Sequence, residues 1–351
     1  MFFIVIIHAA PFRGLGPSWN MLNFILDCLT RFAVPFFFLT SGYFFAVQIS
    51  EQNPMSVLQK QSGRIGAVYI LGICLYLPVG LMLTAGEATI ANGTIISALQ
   101  KFILNAIDPI ELFYYGNSVV TALWFLPALI YSLVVVAVFA RYNSVRLLLG
   151  LAFLLHLVGI AGQAFLLLPD FPINTRDALF FGLFYTSLGF YIYGRDPTGD
   201  NWQIYLGAFI GFNALQIVER YIMGYYIVDG SVAGYVYTPN YSVATVFVAT
   251  SLFLFTLSVP NLFKNTRLPK LGAYAVGIYI VHPAVWHGFL GVREMLAALT
   301  GVNLGNTLAW HFLITPLIYT LSFAIFYLLA NTQFIPFDRR ARVDLRNYLD
   351  M

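Results

Sequence analysis

Apolar runs of membrane-crossing length follow one another through the 351 residues, separated by short polar connections. A hydrocarbon core of about 30 Å takes roughly 20 helical residues. Nine runs meet that need: 24–49, 65–85, 120–140, 146–168, 178–194, 202–220, 242–259, 271–290 and 307–330. A tenth, 2–12, comes first and has only 11 residues. With 60% hydrophobic and 9% charged residues, the chain has more apolar surface than one globular core can hide, so lipid covers the rest. The expected fold is all-α, a polytopic membrane protein with about ten transmembrane helices. Soluble enzymes, which carry about 25% charged residues, disordered chains and secreted disulfide scaffolds are excluded.

Internal Pro35, Pro78, Pro127, Pro283 and Pro316 would break soluble helices. Helices in lipid tolerate proline because neighbours and hydroxyl side chains satisfy the freed carbonyls, so each span is kept whole. Cys28 and Cys74 lie within apolar runs and read as small buried hydrophobes rather than a disulfide. A formal charge of +3, with no basic stripe outside the C-terminal tail, gives no reason to expect nucleic acid as a partner.

With ten alternating spans, twelve of the 18 Lys and Arg fall on one side. Five (Arg13, Lys101, Arg176, Arg220 and Arg293) fall on the other, and Arg31 lies within the membrane. The positive-inside rule then puts both termini in the cytoplasm. Residues 1–330 form a ten-span membrane domain and 331–351 a short cytoplasmic tail. The longest connections, 86–119 and 221–241, are both external. Within the first, 95–107 has helical apolar spacing and is expected to lie along the outer interface. The second carries Tyr221, Tyr225, Tyr226, Tyr235, Tyr237 and Tyr241, suited either to sugar rings or to an aromatic belt at the headgroups. The first span supplies about 16 Å of helix at roughly 1.5 Å per residue, half a crossing. The expectation is a helix truncated at its N-terminus, its cytoplasmic half lying upstream of Met1. The alternative is a half-helix entering only the outer leaflet.

A charged group within lipid costs roughly 3 kcal/mol or more, so intramembrane ionisable residues are functional candidates first. They gather at one depth. His8 lies near the outer end of the first span, Asp27 and Arg31 open the second, His282 and His287 sit in the outer half of the ninth, and His311 opens the tenth. Asp27 and Arg31, four apart, share a helical face, as a self-satisfied ion pair or with Asp27 orienting Arg31 or a histidine. His156, mid-span, reads as an interhelical hydrogen-bond former. His287 and His311 sit near the interface, where a histidine needs no special explanation. His8 and His282, in apolar surroundings, stay neutral and keep one ring nitrogen able to accept a proton, as a general base requires. Lys60 and Arg64, also four apart, are either positive-inside anchors or a clamp for the phosphates of a cytosolic cofactor. There is no P-loop, dinucleotide glycine fingerprint, paired-cysteine metal site or G-x-S-x-G elbow, so nothing points to ATP, NAD or zinc chemistry.

The run RFAVPFFFLTSGYF from Arg31 to Phe44, preceded by VIIHAAPF around His8, resembles the acyltransferase-3 family of integral membrane O-acyltransferases. LWFLPALIY (Leu123 to Tyr131) and LGAYAVGIYIVHP (Leu271 to Pro283) look like the family's fourth-span and penultimate-span signatures, and the resemblance covers essentially the whole chain. It implies transfer of an acyl group, commonly acetyl, from cytosolic acetyl-CoA or another acyl-CoA. The implied acceptor is a hydroxyl of an envelope or secreted polysaccharide, or its lipid-linked precursor, and the implied location is the bacterial inner membrane. His8 matches the family's essential histidine. The family also carries an Arg or Lys eleven positions before that histidine, which here falls before Met1. Lys60 and Arg64 occupy the region of a basic pair linked to CoA binding. Ser41, Trp124 and His282, inside the matching motifs, become candidates for the acceptor site or channel.

These readings predict an acetyl-CoA-dependent O-acetyltransferase with His8, Arg31 and Asp27 as its catalytic residues. His8 takes the proton of the acceptor hydroxyl or first accepts the acyl group, Arg31 steadies the oxyanion and Asp27 orients. No permanently bound cofactor and no metal are expected. The expected partners are membrane lipid, acyl-CoA, the glycan acceptor and glycan-assembly proteins. The rivals are a transporter or flippase for a glycan or lipid, against which the two halves show no matching Gly/Pro-interrupted helices, and an inactive homologue serving as an assembly subunit.

Overall fold

A computed structural model describes residues 1–90, 93–165, 175, 178–195, 201–226, 239–266 and 268–331. The tail 332–351, most of the loop containing Tyr235 and Tyr237, and the end of the expected fifth span lie outside them. Among the described residues there is no strand. In order the α-helices are α1 (Phe2–Ala9), α2 (Pro17–Thr30), α3 (Ala33–Glu51), α4 (Pro54–Ile90), α5 (Ile95–Ala106), α6 (Phe125–Arg141) and α7 (Val145–Gln163). There follow α8 (Leu183–Tyr193), α9 (Trp202–Tyr226), α10 (Val243–Ser258), α11 (Leu268–Gly272), α12 (Ala275–Thr300) and α13 (Leu308–Asn331). Six stretches are long and apolar enough to cross a membrane: Pro17–Glu51, Pro54–Thr89, Thr121–Arg141, Val145–Gln163, Ala275–Thr300 and Leu308–Ala330. The chain is an all-α polytopic membrane protein. A helix stands at each of the other four expected spans, but α1, α8 and α10 have only 8, 11 and 16 residues. The fourth, α9, has 25 residues and turns a polar stripe inward.

The expected span 24–49 lies in one crossing stretch, Pro17–Glu51, whose helical hydrogen bonding is interrupted once, between α2 and α3. Pro35 has no N–H to give the carbonyl of Arg31, and its ring crowds that carbonyl, so the chain breaks at Arg31 and Phe32. Proline is harmless in the first turn of the new helix, where that N–H would be unpaired in any case. Pro127 occupies the same place in α6, after a 3₁₀ turn at Thr121–Trp124. Pro78, Pro283 and Pro316 stay inside continuous helices, as the lipid argument expects.

Two compact units make up the chain, one of Phe12–Val259 and one of Met1–Pro11 with Pro260–Met351. In the first, α3 packs along α8 and α9 along α10. A Cβ on Gly42 of α3 would stand 2.0 Å from the Thr186 carbonyl oxygen, and one on Gly189 of α8 would stand 2.0 Å from that of Leu39. Reciprocal glycines thus let the two backbones touch. Around them lie Phe38, Phe45, Leu133 and Tyr185, all fully buried. Helix α5 falls where the interfacial helix was expected, and its Phe102 ring fills the space beside Gly80 of α4. Cys28 and Cys74 are both free thiols, Cys28 buried as expected and Cys74 exposed, contrary to expectation.

In the second unit α12 and α13 form an antiparallel hairpin, with α1 packed on both. Gly301, at φ 72°, ends α12 in the left-handed conformation glycine favours. The imidazole Nε2 of His311 donates to the Gly305 carbonyl at 2.8 Å and ties down the turn. Gly277 admits the ring of Phe326 against the α12 backbone, which sets the register of the pair.

Candidate active site

In the second unit the rings of His8, at the end of α1, and His282, in α12, lie 5.1 Å apart between centroids and are tilted by 54°. The local sequence fixes how His282 stands. Pro283 offers no N–H to the Tyr279 carbonyl four residues earlier, and His282 Nδ1 replaces it at 2.8 Å, with the Ile278 carbonyl at 3.1 Å. Carbonyls only accept, so Nδ1 carries the hydrogen and Nε2 carries the lone pair. The ring is fully buried, and Nε2 has no hydrogen-bond partner among the described residues. Thr315 Oγ1 and Ser322 Oγ, on the buried stripe of α13, are in the same condition. Pro283→Ala restores the missing N–H and sets it against the ring for one carbonyl. We expect the ring to populate both neutral tautomers in the variant, read by ¹⁵N NMR of the histidine rings; a ring held only as Nδ1–H would contradict this role for the proline.

In the first unit Asp27 and Arg31 meet as their spacing predicted. Arg31 Nε donates to Asp27 Oδ2 at 2.8 Å and Nη2 to Oδ1 at 2.6 Å, a bidentate pair. Arg31 Nη1 also reaches Asn240 Oδ1 at 3.4 Å. The pair is not self-contained, because Arg220 Nη1 donates to the same carboxylate at 3.3 Å. Arg220 is 0% exposed, which corrects its assignment to an outside loop: α9 continues past it to Tyr226. Gln216, one turn earlier, donates to the Cys28 carbonyl and accepts from Thr245. Sequence reasoning missed Arg220 by treating the end of the apolar run as the end of the helix. The signal was present in Asn213, Gln216 and Arg220, which recur at helical spacing on one face while Ile210, Leu215, Val218 and Ile222 cover the other.

Lys60 and Arg64 are exposed on one face of the first turns of α4. A cleft of about 510 Å³, lined by residues including Leu58, Val134, Ala137, Arg141 and Tyr142, opens near that end of the helix. The 19 residues of α3, about 28 Å at 1.5 Å each, separate this end from the break at Arg31. Ser41 Oγ donates back to the Phe37 carbonyl of its own helix at 2.7 Å, and Trp124 packs on the rings of Phe38 and Phe181. Both therefore stand among packed helices. His156 is the interhelical hydrogen-bond former expected, its Nδ1 donating to the Phe180 carbonyl at 2.9 Å. Tyr221, Tyr225 and Tyr226 belong to α9 rather than to a loop. Tyr241 is buried with its ring stacked on His156, 5.4 Å between centroids, so it presents no face to a sugar.

Comparison with known proteins places these features in a family. Over 321 residues the chain is 24% identical to a serine/alanine racemase of Enterococcus gallinarum, covering 87% of this chain and 42% of that protein. It is 26% identical over 207 residues to an amino-acid racemase of Enterococcus faecalis, covering 54% and 27% respectively. The chain thus spans less than half the length of these relatives. No solved structure matches it. The family model described as an acyltransferase domain matches residues 1–330, essentially every described helix, and the chain therefore belongs to the acyltransferase-3 family.

Proposed function

We propose that this chain moves an acyl group, acetyl in the simplest case, from acyl-CoA to a hydroxyl of an envelope or secreted polysaccharide or its lipid-linked precursor, in a bacterial inner membrane. The observation that carries the reading is the contact between the rings of half-buried His8 and fully buried His282, the latter locked so that a lone pair remains on its Nε2. His8 removes the proton of the acceptor hydroxyl as its oxygen attacks the thioester carbonyl. A carbon–oxygen bond forms, the carbon–sulfur bond breaks, and the imidazolium returns the proton to the departing CoA thiolate. The test is incorporation of labelled acetyl from acetyl-CoA into envelope carbohydrate by membranes containing the protein. Alkali-labile label supports the proposal; glycan translocation with no label transferred would replace it with the transporter reading.

Lys60 and Arg64 are assigned to the CoA phosphates, because two exposed cations one helical turn apart bind a polyanion at the membrane surface. Contacts to a remote part of the donor are felt first in binding. The Lys60→Ala, Arg64→Ala double variant should show a KM for acetyl-CoA raised about tenfold or more, with kcat changed far less. An unchanged KM would return the two residues to the role of topological anchors.

A further inference from the structure

The two arginines around Asp27 use their guanidinium groups differently. In Arg31 the side-on fork made by Nε and Nη2 is filled by both carboxylate oxygens of Asp27. Arg220 touches that carboxylate only through Nη1, and its own Nε and Nη2 have no hydrogen-bond partner among the described residues. These two N–H groups form the edge that matches a planar oxyanion bidentately. The Cys28 thiol lies beside the guanidinium but is a weak acceptor. Glu219, next in the chain, is spent on the first N–H groups of α10, from Val243 and Ala244, both at 2.8 Å. Asp27 thus bonds two guanidinium groups, one of them fully buried, and Glu219 adds a second negative charge near Arg220 without filling its fork.

We infer that the Nε/Nη2 fork of Arg220 is a binding site for a single oxyanion, a carboxylate or a phosphate ester. On the acyl-transfer reading this anion belongs to the acceptor, which makes the acceptor an acidic glycan or a phosphate-linked one. The site lies a full helix length along α3 from Lys60 and Arg64, so it is separate from the basic pair assigned to CoA. Two buried guanidinium N–H groups without an acceptor are costly, and a bidentate anion satisfies both at once.

The experiment uses the full chain in phosphatidylcholine nanodiscs without acyl-CoA, titrated with glucuronate, glucose 1-phosphate or glucose and read by thermal shift and calorimetry. Glucuronate or glucose 1-phosphate should raise the melting temperature, and glucose should not. Whichever anion binds more tightly identifies the source as a carboxylate or a phosphate ester. Arg220→Lys keeps a charge opposite Asp27 but loses the fork, and should weaken anion binding about tenfold or more. Neither anion binding better than glucose, or wild-type anion affinity in Arg220→Lys, would overturn the assignment. Because no acyl donor is present, anion binding without acetyl incorporation would sink the proposed reaction and leave this site standing.

Discussion

His8→Ala should abolish measurable acyl transfer while leaving the amount of protein in the membrane unchanged. Loss of a positioned general base costs about 10²- to 10⁴-fold in rate, which takes a slow membrane enzyme to background. The fold has little stake in the residue. It sits in the last turn of an 8-residue helix, and the hairpin of α12 and α13 is held by Gly277 against Phe326 and by His311 against the Gly305 carbonyl. His282→Ala should cost less in rate but more in stability, because it removes the Nδ1 hydrogen bonds to the Tyr279 and Ile278 carbonyls inside a buried helix. The two variants are compared by acetyl incorporation per molecule of folded protein. Normal transfer by His8→Ala would remove His8 from the chemistry, and a larger rate loss in His282→Ala would exchange the roles of the two histidines.

Most of the architecture was legible in the sequence because hydropathy reports lipid contact directly, and a helix stands at each expected span. What escaped came from effects that a window of apolar residues averages away. Pro35 is apolar, so the break at Arg31 vanished inside one long run, although a missing N–H in a helix has a definite place to act. Arg220 escaped for the opposite reason: a charge at the end of a run looks like a loop, whereas a helix in lipid turns its polar face inward and its apolar face out. The pairing of Asp27 with Arg31 was legible because it is local, four residues along one helix. The contact of Arg220 with the same carboxylate spans 193 positions, and spacing alone gives no hint of it. His8 and His282 were both marked by being ionisable in apolar runs. That their rings meet, and that a proline decides which nitrogen of His282 stays basic, required the packing of α1 on α12.

Gly42→Val should keep the protein from accumulating in folded form, with a loss of more than about 3 kcal/mol, since overpacking a tight contact costs roughly 1–3 kcal/mol even where side chains yield. Here nothing yields easily. A Cβ at Gly42 would lie 2.0 Å from the Thr186 carbonyl oxygen, 2.8 Å from its carbon and 3.0 Å from its Cα, all backbone of the neighbouring helix. Gly189 faces Leu39 in the same way, so α3 and α8 touch at two points and cannot pivot about one of them. Separating the helices would loosen the aromatic packing of Phe38 on Phe125 and Phe181 as well. Gly63 in α4, where a Cβ meets nothing within 4 Å, supplies the control. There Ala should be neutral or stabilising by up to about 1 kcal/mol, the ordinary gain of replacing helical glycine. The measurement is the melting temperature and the yield of monodisperse protein in one detergent for wild type, Gly42→Ala, Gly42→Val and Gly63→Ala. A Gly42→Val protein that melts with wild type would show that α3 and α8 do not touch through these glycines. It would also remove the physical reason for a glycine at the end of the Phe-Phe-Leu-Thr-Ser-Gly run.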